Sequence, residues 1–299
     1  MKGSARTRSN ALNRPGPLPV EITHPDRVLF PGDGYTKRDL AEFYDLVFPK
    51  LKPWVDDRLL SLERCPQGVR GPCFFQKEAP AGMPAGTPTK AIRHANGITR
   101  YVVGGDKKTQ LALANLGCIA IHVWGSRAST PRQPDWVCFD LDPGSKGMPS
   151  AVLAALRVRE ELEARKLVPF VKTSGGKGLH VFAPIRPGPD TDDVLAFARR
   201  IGERIAEKEP EFFTVETRIA KRRGRLYLDA ARNAFAQTVV PPYSVRVRPH
   251  APVSTPLDWS ELGPSLDATT FHIGNFARRL ERADPWAGFW KRRRALPKE

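Results

Sequence analysis

The segment Val137-Cys138-Phe139-Asp140-Leu141-Asp142-Pro143-Gly144 decides how the rest of the chain is read. Side chains alternate across a strand with a period of two. Val137, Phe139 and Leu141 therefore turn to a core, while Asp140 and Asp142 project side by side from the other face, before Pro143-Gly144 closes the strand in a turn. Two carboxylates this close raise each other's proton affinity. A divalent cation removes that penalty, and hard oxygen ligands favour Mg²⁺ or Mn²⁺. Paired aspartates also decorate solvated strand ends, so the neighbouring segments have to decide.

Working outward, Arg225-Leu226-Tyr227-Leu228-Asp229 also alternates, with Leu226 and Leu228 opposite Tyr227 and Asp229. If the two strands are neighbours, Asp140, Asp142 and Asp229 surround one or two metals, the arrangement of two-metal phosphoryl chemistry. Between them lies Thr173-Ser174-Gly175-Gly176-Lys177-Gly178-Leu179-His180. Its glycines let backbone N–H groups approach an anion, and Lys177 adds charge. A Walker A loop requires G-x-x-x-x-G-K-[ST] ahead of a helix, whereas here Gly178 follows the lysine and a β-like run follows that. An ordinary hairpin turn is the plainer alternative. His122 sits on the polar side of Ile119, Ile121 and Val123, either as a structural histidine or as a triphosphate contact.

Thr36, with Asp39 three residues on and Leu40, Phe43, Tyr44 and Val47 at helical spacing, predicts a capped helix. Strands are expected near 59–62, 74–75, 119–124, 137–142, 169–173, 179–182 and 225–229. Helices are expected over about 150–166, through Val194, Phe197, Ile201 and Ile205, and over 268–280. Their order lacks the regular alternation of a Rossmann fold, which favours α+β. Residues 1–18 read as a flexible basic tail and 19–299 as a single catalytic domain.

The chain has 299 residues, 40% of them hydrophobic, enough for a core, and a formal net charge of +16 that suits a polyanionic partner. Cys65, Cys73, Cys118 and Cys138 form no CxxC pair, so a zinc module is not expected, and reduced thiols fit better than a disulfide framework. No apolar stretch approaches the roughly 20 residues that span a bilayer, and the basic N-terminus lacks the apolar run of a secretory signal. A cytoplasmic protein without a membrane partner is expected.

Taken in order, Asp140–Pro143, Thr173–Val181, Arg225–Asn233 and Pro241–Pro249 resemble the polymerase domain of the multidomain bacterial end-joining DNA ligases, members of the archaeo-eukaryotic primase superfamily. The match extends to Ile22–Leu40 and Phe74–Lys77 and covers roughly residues 20–285. The resemblance implies a primase-like α+β fold with mixed and antiparallel sheets flanked by helices. It implies Asp140, Asp142 and Asp229 as catalytic ligands of two Mn²⁺ or Mg²⁺ ions. His122, Ser174, Lys177, His180, Arg246 and Arg248 are implied to hold the NTP or dNTP, and Phe74 and Phe75 to stack on template bases. A recessed DNA 5′-phosphate falls to His24, Arg27 and Lys37, where the family more usually has asparagine and lysine at the first two positions. Arginine still suits phosphate; His24 puts the affinity and pH dependence of that grip in question. With no K-x-D-G ligase motif, the polymerase unit is expected to stand alone, with a separate ligase and a Ku-type protein as partners at gaps and double-strand breaks.

The function expected is template-directed nucleotide addition. A metal-dependent nuclease or phosphoesterase also clusters carboxylates, and a non-catalytic DNA-end binding module is the third reading; the loop at 174–178 and the set of three aspartates argue against these.

Overall fold

The computed structural model describes residues 17–143, 146–263 and 265–298. The strands are β1 (Val28–Phe30), β2 (Tyr35–Thr36), β3 (Leu60–Arg64), β4 (Phe74–Gln76), β5 (Thr89–His94), β6 (Gly97–Val102), β7 (Cys118–Trp124), β8 (Trp136–Leu141), β9 (Phe170–Thr173), β10 (Leu179–Pro184), β11 (Phe213–Thr214), β12 (Leu226–Tyr227), β13 (Thr238–Val239) and β14 (Pro256–Leu257). The α-helices are α1 (Lys37–Val55), α2 (Lys107–Asn115), α3 (Met148–Ala164), α4 (Thr191–Lys208) and α5 (Phe276–Leu280). Two four-stranded antiparallel sheets carry the architecture, in the orders β14-β9-β10-β8 and β13-β7-β3-β4. The β5–β6 hairpin stands beside them. The fold is α+β, as expected.

Alternation along β8 builds two cores. Val137, Phe139 and Leu141 join Val181 of β10 in a core covered by α3 and α4. Trp136 and Cys138 turn to the opposite core with Phe182, α1, β3 and β7. Asp140 is on this second side, where the apolar packing gives way to polar groups. Helix α1 starts as its sequence requires: Thr36 Oγ1 accepts from the Asp39 amide at 3.2 Å, and Asp39 Oδ2 accepts from the Thr36 amide at 2.6 Å.

Several expectations are corrected. The helix expected over 268–280 is α-helical only from Phe276; His272 is extended and caps a 3₁₀ turn, Ile273–Asn275, that carries Gly274. The strand ending at Asp229 shrinks to Leu226–Tyr227, because its partner is the two-residue β11, parallel to it. The thiols are not all reduced: Cys65 and Cys73 form a disulfide. The β3–β4 pairing sets Arg64 opposite Phe74 and so brings the flanking cysteines together, a proximity their eight-residue separation does not reveal. Cys118 and Cys138 are buried and free. The expected tail falls outside the described residues up to position 16, while Leu18 already packs against the first core. Among the described residues no helix is long and apolar enough to cross a membrane.

Candidate active site

Strand register sets the site. Lys172 of β9 pairs with His180 of β10, and His180 with Asp140 of β8. Asp140 is bridged in turn to Asp229. Residues in register project to one side of a sheet, so these four make a row. His180 Nε2 lies 3.2 Å from Asp140 Oδ1, and Arg232 Nε lies 3.1 Å from Asp140 Oδ2 and 4.0 Å from Asp229 Oδ2. Asn233 holds the Asp229 segment on β8: its Oδ1 accepts from the Cys138 amide at 2.8 Å, and its Nδ2 donates to the Cys138 carbonyl at 2.7 Å.

The row is strongly polarised. Burial opposes the charge on Asp140, but His180 and Arg232 outweigh it and hold this carboxyl well below the usual range. Burial and then the neighbouring Asp140 push Asp229 up. Burial and the adjacent Lys172 push His180 down to about 4, so the ring is neutral at pH 7. One guanidinium thus serves two crowded carboxylates.

The glycine-rich loop folds on itself. Ser174 Oγ accepts from the Gly176 and Gly178 amides at 3.1 and 3.2 Å. Gly175 has φ +65°, and a Cβ on Gly178 would meet the Leu141 carbonyl oxygen at 2.0 Å, so the loop must be glycine where it crosses the end of β8. Arg246, pulled down by burial, donates to the Ser174 carbonyl at 2.8 Å. A cavity of about 220 Å³ opens there, lined by Asp140, Asp142, Ser174, Lys177, His180, Arg232, Arg246 and Arg248 with Gly176 and Gly178. The structure therefore brings together seven of the residues singled out in the sequence. Asp229 adjoins them through Arg232. His122 is not a wall of this cavity. It is partly buried on β7, 3.5 Å from Glu63, with the Phe75 ring 5.3 Å away.

Phe74 and Phe75 are both exposed, at 45% and 64%, neither given to the core. The Arg64 guanidinium sits 5.6 Å from the Phe74 ring. Away from the cavity, Lys37 is buried and its Nζ reaches Asn115 Oδ1 at 3.4 Å and Thr23 Oγ1 at 3.5 Å. Burial and the nearby Arg27 lower its proton affinity. Arg27 Nη1 donates to the Pro66 carbonyl at 3.1 Å, and its amide closes a turn on the His24 carbonyl. His24 takes a left-handed φ of 47°. The sequence reading missed Lys172, Arg232, Asn233 and Asn115. Arg232 and Asn233 lay inside the motif 225–233 and were legible as polar residues just past an aspartate; Lys172 and Asn115 carried no such signal.

Carboxylates facing a glycine-rich loop and a ring of cations, on antiparallel sheets flanked by helices, make a site suited to a polyanionic ligand and its counter-ions. Residues 36–286 match the family described as LigD, primase-polymerase domain, and the chain belongs to that family. It is 32% identical over 304 residues to the multifunctional non-homologous end joining protein LigD of Pseudomonas aeruginosa, covering 95% of this chain and 34% of that protein. It is 30% identical over 275 residues to the bifunctional end-joining LigD of Bacillus subtilis, covering 91% and 44%. The chain thus spans less than half the length of these relatives. The polymerase domain of Mycobacterium tuberculosis ligase D, solved in complex with DNA, superimposes with a TM-score of 0.86 at 28% identity, over 92% of this chain and 99% of that one.

Proposed function

We propose that this chain extends 3′ ends at DNA gaps and breaks, using a template and NTPs or dNTPs, and grips the downstream 5′-phosphate. The observation that carries this reading is the cavity in which Asp140 and Asp142 face the 174–178 loop, Arg246 and Arg248. A triphosphate needs a cradle of amides and cations beside carboxylates that hold its counter-ions, whereas hydrolysis of a phosphodiester needs no such loop.

Among the described residues no three acidic, imidazole or thiol side chains stand ready as a metal cage. The donor chemistry nevertheless fits a hard cation: two crowded carboxylates, Asp140 and Asp229, share one guanidinium, and Asp142 opens onto the same cavity. We assign Asp140, Asp142 and Asp229 as the ligands of two Mg²⁺ or Mn²⁺ ions. Held by these carboxylates, such ions would supply Lewis-acid chemistry, lowering the pKa of a 3′-hydroxyl and offsetting the charge of pyrophosphate.

The remaining roles belong to the chain itself. Lys177, Arg246, Arg248 and the amides near Ser174 orient the triphosphate and stabilise the charge that develops on it. His180, a wall of the same cavity, contacts the nucleotide and, 3.2 Å from Asp140, aligns that carboxylate; His122 adds a nucleotide contact from the Phe75 side. Phe74 and Phe75 offer exposed faces to template bases, a contact worth ~1–3 kcal/mol per base. His24, Arg27 and Lys37, with Thr23 and Asn115, form the 5′-phosphate grip. Residues 19–299 act as one catalytic unit in the bacterial cytoplasm, at the nucleoid, together with a DNA ligase activity and a Ku-type end-binding protein.

The test is to incubate the protein with a gapped, 5′-phosphorylated duplex, Mn²⁺ and either NTPs or dNTPs. Primer extension with release of pyrophosphate is expected. DNA cleavage without pyrophosphate would establish the nuclease reading, and binding without either product the end-binding one.

A further inference from the structure

Lys172 is fully buried. Its Nζ lies 2.6 Å from Ser254 Oγ and 2.9 Å from His180 Nδ1, with the Phe182 ring at 5.6 Å. A lysine in such surroundings is costly, and a methionine would fill the same space without that cost. The hydrogen bonds show what the amino group does there. Ser254 Oγ donates to the Thr173 carbonyl at 3.0 Å, so it can only accept from Lys172. At the far end of the row, the Asp140 carboxylate can only accept, and His180 Nε2 faces it at 3.2 Å. Nε2 must therefore carry the proton and Nδ1 must be the acceptor, which is what an N–H of Lys172 requires.

We propose that Lys172 is a positioning residue that locks His180 in its Nε2–H tautomer, aiming one donor at Asp140 and at the triphosphate cavity. Which ring nitrogen of a histidine is protonated follows from the hydrogen bond made by the other. Without a donor at Nδ1, the Nδ1–H tautomer becomes competitive. It would turn the Nε2 lone pair against a carboxylate, and the ring would swing or the carboxylate would lose its alignment. The cross-strand register Lys172–His180–Asp140 makes the device rigid, because each member is fixed by its own strand. The proposal rests on the reading of His180 as a nucleotide contact only in its kinetic consequence; the tautomer itself does not.

Two-bond ¹H–¹⁵N correlation spectra of the imidazoles test the assignment, with the His180 signal identified by its loss in His180→Ala. In the unmutated protein at pH 7.5 the expected pattern is a protonated Nε2 and a bare Nδ1; a protonated Nδ1 would overturn the proposal without any variant having to fold. In Lys172→Met the Nδ1–H form should appear, and the nucleotide KM should rise about tenfold or more with a smaller change in kcat. A double-mutant cycle separates this from a merely structural role. If Lys172 acts through His180, Lys172→Met added to His180→Ala should cost no more than about twofold, whereas independent, multiplying losses would sink the idea. If His180→Ala leaves nucleotide affinity intact, the nucleotide-contact reading fails while the tautomer spectra still decide the role of Lys172.

Discussion

Asp140 and Asp229 are joined through their backbones: the Asp140 amide donates to the Asp229 carbonyl at 3.1 Å, although 88 positions of chain separate them. One isolated bridge thus places the third carboxylate beside the first, and Asn233 holds it there through both its amide atoms.

From this pairing, Asp140→Ala or Asp142→Ala should abolish nucleotide addition while leaving the fold and DNA binding largely intact. Extension assays alongside gel-shift titrations make the comparison. Near-normal extension by either variant would remove the metal assignment. Asn233→Ala should also slow extension, by freeing the Asp229 segment and leaving the Cys138 amide and carbonyl without their partner, a cost of ~1–3 kcal/mol.

Lys177 lines the cavity with an exposed side chain, so its charge is available to a ligand. Lys177→Ala should weaken nucleotide binding far more than DNA binding, with thermal stability unchanged. Titrations showing the reverse order would move the glycine-rich loop to the DNA site.

The Arg27–Lys37 cluster predicts a preference for 5′-phosphorylated gaps. Lys37 reaches Asn115 and Thr23 only at 3.4 and 3.5 Å, long for an ammonium, and its lowered proton affinity reports a neighbouring cation, Arg27, behind burial. A phosphate there would relieve that repulsion. A charge-assisted contact is worth ~1.5–3 kcal/mol, roughly tenfold or more in affinity over the same DNA with a 5′-hydroxyl. Combining Arg27→Ala with Lys37→Met should erase the preference and spare extension of a simple primer. Equal binding of the two DNAs by the unmutated protein would rule the grip out, with His24 as the first residue to exchange for asparagine.

Burial pulls Lys172 down to about 7 from an unperturbed 10.5. Between these values the unfolded chain holds a proton that the folded chain has released, so raising the pH from about 7 to 10.5 stabilises the fold; below 7 both states are protonated and the dependence ends. Lys172→Met lacks this linkage. The stability gained by the variant over the unmutated protein should therefore be largest near pH 6 and shrink steadily as the pH rises through that window. Denaturation midpoints at several pH values would show it, and a constant gap would refute it.

The amino-acid sequence by itself determined the local features. The cap at Thr36–Asp39, the alternation along 137–141 and the glycines of the 174–178 loop act within a few residues, where backbone geometry and burial leave few choices. The motifs also carried the candidate site residues and the family. Tertiary structure decided what depends on distant partners. Alternation in β8 shows that Asp140 leaves the core side of Val137, Phe139 and Leu141, yet nothing local says that Lys172 and His180 will stand in register beside it. The disulfide arises because β3 and β4 pair antiparallel, and strand 225–229 is cut short because only two residues of β11 are there to meet it. Lys172 read as an ordinary strand residue for the same reason: a lysine becomes a buried, half-neutral donor only when three strands and Ser254 close around it, and burial is a property of the assembled fold.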